Sequence, residues 1–426
     1  MLSDRARLAE WLARHETWRS QTINLIASEN VLSPAVRAAL RSDLVGRYAD
    51  YTGRDLAARR YRGNRYIELI ERQACRLAQE TFRAEHVELR PISGHVAGAA
   101  VLMGLCRPGD LVMEPGRDGG GHREAGKFAT SPLVPLEILA LPFDAAQYNV
   151  DAPAAIRLIG ERRPRVVILG SSNFLYPHPV AEIAAVVHRL PGSFLVYDAS
   201  HVMGLLAAGR FQDPLREGAD VVFGSTHKTL PGPQGGIIFT NRGDLMDAIA
   251  EATYPALVTN HHPFRIPALS TALLEMREFG AAYADQIITN AQALGNALEA
   301  EGVPCVRAGG ETGTRHTESH TLLACTGRFA AGAPAAERLE ECGIIVTAAH
   351  LPDFWGREGV RIGVQEITHR GARQEHMAPI AHWIAQAVSG ARPPAAIAQE
   401  TAAFAAGLGP VRFTWQESER DAGKDA

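Results

Sequence analysis

The chain has 426 residues, 46% of them hydrophobic and 21% charged, with 43 basic against 47 acidic side chains and a net charge of −4. That balance offers no basic field for nucleic acid or an anionic membrane surface, and no apolar run reaches the length of a membrane helix. Five scattered cysteines (Cys75, Cys106, Cys305, Cys325 and Cys342) without a CxxC pair read as reduced core residues, which argues against a disulfide framework or a zinc site. The opening MLSDRARLAEWLARHE is charged throughout and lacks the apolar centre of a signal peptide, so a cytoplasmic protein is expected.

Taken in order, Ser3 is placed to cap a helix with Leu8, Trp11, Leu12 and Trp18 on one face. That helix reads either as an arm packing on a partner subunit or as a plain intramolecular helix. NLIASEN follows (24–30), then Ser33-Pro34 opens a second helix. Tyr48-Ala49-Asp50-Tyr51 leads into the Arg-rich loop RRYRGNRY (59–66). Helical spacing of Ile67, Ile70, Ala74, Leu77 and Ala78 marks a helix to Phe82. Between 87 and 220, short apolar strands (LVMEP, RVVILGSSN, SFLVYDASH) alternate with helical stretches such as AEIAAVVHRL. Strands separated by helices predict an α/β fold with a mostly parallel sheet, whose ligands sit at the strands' carboxyl ends. That rule puts Ser93, Ser171, Ser172, Asp198, His201 and Lys228 along one rim. Beyond 279 the pattern changes to a smaller α+β domain. The expected division is an arm at 1–22, a large domain at 23–279, a small domain at 280–416 and a disordered tail at 417–426.

The stretch VVFGSTHKTLPGPQGGIIF (221–239) carries the strongest chemical signal. Burying an ammonium is costly, so a lysine at a strand end is paired, deprotonated or covalently used. Ser225, Thr226 and His227 before Lys228 supply hydrogen-bonding groups of the kind a Schiff-base lysine on pyridoxal phosphate needs; a surface lysine in a turn is the plain alternative. Asp198, closing an apolar strand, is placed either to face a protonated pyridinium or to cap the next helix. SGHVAG (93–98) turns a strand into a helix through small residues, which suits a phosphate and equally suits a tight turn. Arg361 in GVRIG is either a bidentate partner for a substrate carboxylate or half of a structural salt bridge.

In this order the motifs resemble the serine hydroxymethyltransferase family of fold-type I pyridoxal phosphate enzymes. The landmarks are LIASEN, the Tyr-Ala-acid motif at Tyr48, SG-x-x-A at Ser93, D-x-x-H at Asp198, THKTL-x-GP-x-GG at Thr226 and RIG-x-x-x-IT-x-RG at Arg361. The resemblance implies an aspartate-aminotransferase-like fold and a homodimer with shared active sites. It makes Lys228 the Schiff-base lysine, Asp198 the pyridinium partner, and His201 with Ser172 neighbours of the phenolic oxygen. Ser93, Gly94, His95, His122, Ser225 and His227 would complete the cofactor cradle. Arg361 and Ser28 would hold the amino-acid carboxylate, with Tyr48 and Asp50 in proton transfer and Tyr61 and Arg62 beside the substrate.

The departures from the family pattern point to the reaction. Asp50 replaces the family's glutamate, and the paired tyrosines read Tyr61-Arg62. His95 stands for a serine, and the His-Gly-Gly-His-Leu stretch reads Gly119 to Arg123, leaving His122 to take the stacking histidine's place. Ala349 stands for an asparagine, Gln234 for an arginine, and ALVTNHHPF for the Gly-rich phosphate segment. In that last stretch, His261 and His262 read as a phosphate or substrate contact more than as metal ligands, or as a surface loop. Three of these changes, Tyr61-Arg62, Gly119 to Arg123 and Ala349, fall where the family binds a pterin, while the amino-acid half (Ser28, Lys228, Arg361) is intact. The expected activity is therefore folate-independent cleavage and formation of the Cα–Cβ bond of β-hydroxy amino acids through a glycine quinonoid. That makes the chain an L-threonine transaldolase or aldolase using threonine, serine or glycine with an aldehyde. A folate-using serine (or α-methylserine) hydroxymethyltransferase and a catalytically silent relative are the alternatives.

Overall fold

The computed structural model describes residues 4–131, 135–309, 313 and 315–415, so the capping role of Ser3 and the 417–426 tail lie outside the described residues. The described residues form two compact units, one of Asn30–Asp285 with 413–415, the other of 4–29 with Gln286–Arg412. The boundary falls inside the 36-residue helix Arg265–Ala300.

In the larger unit a seven-stranded sheet runs in the order His86–Glu88, Gly236–Thr240, Val221–Ser225, Phe194–Asp198, Val166–Leu169, Leu111–Pro115, Glu137–Leu141. Only Gly236–Thr240 runs antiparallel to its neighbours; the other pairings are parallel. The central strands read VVIL, FLVYD and VVFGS because both of their faces are covered, which removes the polar alternation of a half-exposed strand. Val166, Ile168, Val196, Val221, Phe223 and Ile238 pack against Ala97, Val101, Leu102 and Leu105 of the helix Gly94–Leu105. On the sheet, Phe239 stacks on Phe82 with ring centroids 4.6 Å apart. Phe82 ends the amphipathic helix Arg65–Phe82, which buries Ile67, Ala74, Leu77 and Ala78 as its spacing requires.

The smaller unit holds a three-stranded antiparallel sheet in the order Thr321–Cys325, Glu358–Gly363, Thr347–His350, with helices at Gly332–Glu341, Met377–Ser389 and Pro394–Gly407. Residues 23–29 group here and not with the large domain, where the sequence reading had put them. The cause is a two-residue parallel ladder, Ile23 against Ile344 and Asn24 against Ile345. Gln365 reinforces it by donating from Nε2 to the carbonyls of Ile26 (2.8 Å) and Glu29 (2.5 Å). The helix Asp4–Ser20 buries none of its residues, and Leu8, Trp11 and Leu12 are each more than half exposed.

His178 in the larger unit gives the fold a measurable acid sensitivity. Its Nδ1 lies 2.8 Å from Asn149 Oδ1, and Nε2 is enclosed with no hydrogen-bond partner. Burial pushes its pKa from 6.5 down to about 3, so it stays neutral in the folded chain. The unfolded chain takes up that proton first. Stability should therefore fall as pH drops from 6.5 toward 3, by about 1.4 kcal/mol per pH unit from this group. We expect His178→Gln to remove one proton from the acid limb of the stability profile in urea titrations at stepped pH. An unchanged slope would show that His178 is not held neutral.

Candidate active site

Lys228 follows the buried strand Val221–Ser225 in a turn that must bring the chain back antiparallel within ten residues. Hydrogen bonds fix that turn: Thr226 N–H donates to the Gly235 carbonyl (3.1 Å), Gly232 N–H to the Thr226 carbonyl (3.1 Å), and Thr226 Oγ1 to the Pro233 carbonyl (2.7 Å). Thr229 Oγ1 donates to the carbonyl of buried His201 at 2.8 Å and accepts from Gly204 N–H at 3.0 Å. Asn30 Nδ2 donates to the Lys228 carbonyl at 2.7 Å and lies 2.9 Å from Tyr283 Oη. Sequence reasoning did not single out Asn30; its only signal was its place at the end of LIASEN.

Asp198 ends its strand at 6% exposure, and its Oδ1 accepts the Ser200 N–H at 2.9 Å. It therefore already caps the turn after the strand. Ser200 Oγ accepts from Ser225 N–H at 3.2 Å. Across from these hydroxyls the helix Gly94–Leu105 begins, capped by Ser93 Oγ on Val96 N–H at 3.1 Å. Gly94 leaves the room this spot needs, because a Cβ there would meet Ser225 Oγ and crowd the Ser225 backbone nitrogen at 3.1 Å. A positive helix end faced by two hydroxyls at a carboxyl-end rim is a donor set that fits a phosphate. His227 Nδ1 is buried with no hydrogen-bond partner among the described residues. Burial, aided by the charge of Lys228, pushes its pKa down to about 4. A neutral, unsatisfied imidazole beside a lysine fits a polar aromatic cofactor.

The Gly-rich loop is pinned to the same rim. Ser171 Oγ donates to the carbonyls of Gly119 (3.1 Å) and Gly120 (2.8 Å), and Ser172 N–H to Gly120 (2.8 Å). This sets His122 Nδ1 at 3.4 Å from Ser172 Oγ. His122 also belongs to a polar cluster around buried Glu124. Its Nε2 is 3.3 Å from Oε2 and 2.6 Å from Lys127 Nζ, while Lys127 reaches Oε2 at 3.1 Å. His95 Nδ1 is 2.5 Å from Oε1. Burial pushes the Glu124 carboxyl up, but His122, Lys127 and His95 outweigh it and hold it below the ordinary range.

Tyr48 and Tyr61 pack at 5.2 Å between centroids and, with Arg62, line an open pocket at 43–48 and 61–67. Asp50, two residues on from Tyr48, is turned inward and 4% exposed. His261 is buried rather than set in a phosphate- or substrate-facing loop, with Nε2 2.5 Å from Glu71 Oε1. His262 is exposed. Among the described residues no cluster of histidine, cysteine and carboxylate side chains is arranged for a metal ion. In the smaller unit, Arg361 lies on the central strand opposite Leu323 and Thr347. The segment leading to Ser28 lies against that strand, with Gly363 N–H donating to the Leu25 carbonyl at 2.8 Å.

Comparison with known proteins agrees with this geometry. A family model described as serine hydroxymethyltransferase matches residues 3–384. A serine hydroxymethyltransferase of Methanopyrus kandleri is 42% identical over 408 residues, covering 94% of this chain and 92% of that protein. One from Pyrococcus furiosus is 41% identical over 392 residues, covering 89% and 90%. The crystal structure of an L-threonine transaldolase from Pseudomonas fluorescens, in its internal aldimine state, superposes with a TM-score of 0.89 at 28% identity, covering 99% of this chain and 98% of that one. The chain belongs to the serine hydroxymethyltransferase family.

Proposed function

We propose that this pyridoxal-phosphate-dependent enzyme of transferase type works without folate, cleaving L-threonine and building a β-hydroxy amino acid on an acceptor aldehyde. One observation carries the reading: Ser28, Lys228 and Arg361, which handle the amino acid, are retained, while Arg62, Arg123 and Ala349 stand at the positions the family resemblance assigns to the pterin. A neutral, flat heterocycle is held by stacking and a few aimed hydrogen bonds. Two arginines match an anionic acceptor better, such as a phosphorylated or carboxylated aldehyde. The retained motifs and 42% identity to a named hydroxymethyltransferase favour a second reading, serine hydroxymethyl transfer with folate.

When bound, pyridoxal phosphate supplies an electron sink for the pair released from a broken Cα–Cβ bond. In this reading Lys228 provides the amine that holds the group. The Ser93–Gly94 helix start and Ser225 take its phosphate. Asp198 would pair with its ring nitrogen, and His201, Ser172 and His122 would help hold the ring. Ser28 and Arg361 take the amino acid's carboxylate. Asp50 accepts the substrate hydroxyl proton as the carbon–carbon bond breaks and returns it when a new aldehyde adds. The helix Asp4–Ser20, with Leu8, Trp11 and Leu12 exposed, is proposed to pack on a second copy of the chain.

Acetaldehyde release from L-threonine should proceed at the same rate with and without tetrahydrofolate. Arg62→Ala or Arg123→Ala should raise the KM of an anionic acceptor aldehyde more than that of threonine. Serine turnover that requires tetrahydrofolate, with no acetaldehyde formed in its absence, would establish the second reading instead. Arg361→Ala should weaken glycine binding by roughly 3–5 kcal/mol if the substrate carboxylate is left buried and unpaired. Arg361→Lys should recover little, because the bidentate fork is lost. Parent-like glycine affinity in Arg361→Ala, measured through the cofactor's absorbance, would remove Arg361 from the site.

A further inference from the structure

Two departures from the family pattern, far apart in the sequence, meet inside the larger unit. His261 Nδ1 lies 3.9 Å from Asp50 Oδ1, with both side chains at most 5% exposed. The other ring nitrogen, Nε2, sits 2.5 Å from Glu71 Oε1. Glu71 Oε2 is already engaged by Arg59, so this carboxylate is ionised and Nε2 must be the donor. Nδ1 is left to face Asp50, whose Oδ1 is enclosed and has no hydrogen-bond partner. Two acceptors cannot face each other in a buried gap at no cost, so a proton belongs between them. The 3.9 Å separation is an ion-pair distance, about 1 Å beyond a direct hydrogen bond.

We propose that His261 is a positioning residue for Asp50: clamped by Glu71, it shares one proton with the Asp50 carboxyl and so sets when that carboxyl can act as a base. The assignment rests on the reading of Asp50 as the group that exchanges the substrate hydroxyl proton. The proton leaves the substrate oxygen for Asp50 Oδ2, while Oδ1 stays paired with the imidazole. It stays on Oδ2, with the shared proton still between Oδ1 and Nδ1, until the oxygen of the incoming aldehyde takes it back, so nothing is lost to solvent. The glutamate usual at this position is one methylene longer. With the shorter Asp50, the imidazole occupies the space behind the carboxyl.

The surrounding charges bear on the same equilibrium. Burial pushes the Asp50 carboxyl above the ordinary range, against the pull of His261, Arg60, Arg90 and Arg59. Arg265 donates from Nε to the His261 carbonyl at 3.1 Å, and Tyr51 meets the imidazole edge-on at 5.9 Å. Removing His261 takes away the first-named of the opposing charges, so Asp50 should then ionise at higher pH.

His261→Gln keeps an N–H for Glu71 but cannot titrate, which makes it the informative variant. In the holoenzyme, the acid limb of kcat/KM for threonine cleavage should move up by about one pH unit in His261→Gln. The cofactor's absorbance spectrum should stay as in the parent. Independently of turnover, 15N-histidine NMR of the holoenzyme should show the His261 ring titrating differently in Asp50→Asn than in the parent. Identical His261 titration in parent and Asp50→Asn, or an unmoved acid limb in His261→Gln, overturns the shared proton. If Asp50→Asn cleaves threonine at the parent rate, the base role of Asp50 fails; the NMR comparison then decides the pair by itself.

Discussion

The arrangement depends on setting one lysine amine at the carboxyl edge of a buried parallel sheet. An ammonium in that position is unstable unless its surroundings take over the hydration it loses. The chain meets this by turning back at once: Val221–Ser225 runs out to the rim and Gly236–Thr240 returns antiparallel beside it. The turn between them must satisfy its own backbone, which is why it is built from threonines, prolines and glycines. Its neighbours follow from the same demand. Asn30 takes the Lys228 carbonyl, Thr229 ties the turn to His201, and Gly94 leaves room for Ser225 beneath the helix that opens toward the rim.

Around this fixed centre the variable parts differ in kind from the retained ones. The retained groups are held by backbone geometry: strand ends, a helix start, a glycine where a Cβ would crowd Ser225. The altered groups are held by charge. Glu124 gathers His95, His122 and Lys127, and Glu71 gathers Arg59 and His261. Both carboxylates are buried, so each must keep hydrogen-bonding partners close.

The parallel sheet was legible because its strands are short apolar runs separated by amphipathic helices, and the rim followed from the carboxyl-end rule. The positions of Lys228 and Asp198 beside strand ends and of Ser93 at a helix start were legible because their motifs are local. What the sequence did not disclose depends on distant contacts. Residues 23–29 join the smaller unit through a two-residue ladder with Ile344 and Ile345, too short to leave a periodic pattern. His261 looked like a ligand-facing histidine, and only the fold brings it to Glu71 on the helix Arg65–Phe82. The loss of a serine at His95 could be read, but its engagement by Glu124 could not, because nothing local marks Glu124 as buried.

The central claim is that Lys228 is the residue that carries the cofactor. The chain makes this easy to test, since it contains only three lysines, Lys127, Lys228 and Lys424. Reducing the holoenzyme with borohydride and mapping the modified peptide by mass spectrometry reads the attachment point directly. The account predicts a single modified peptide containing Lys228. Modification of Lys127, which stands in the Glu124 cluster, would contradict it.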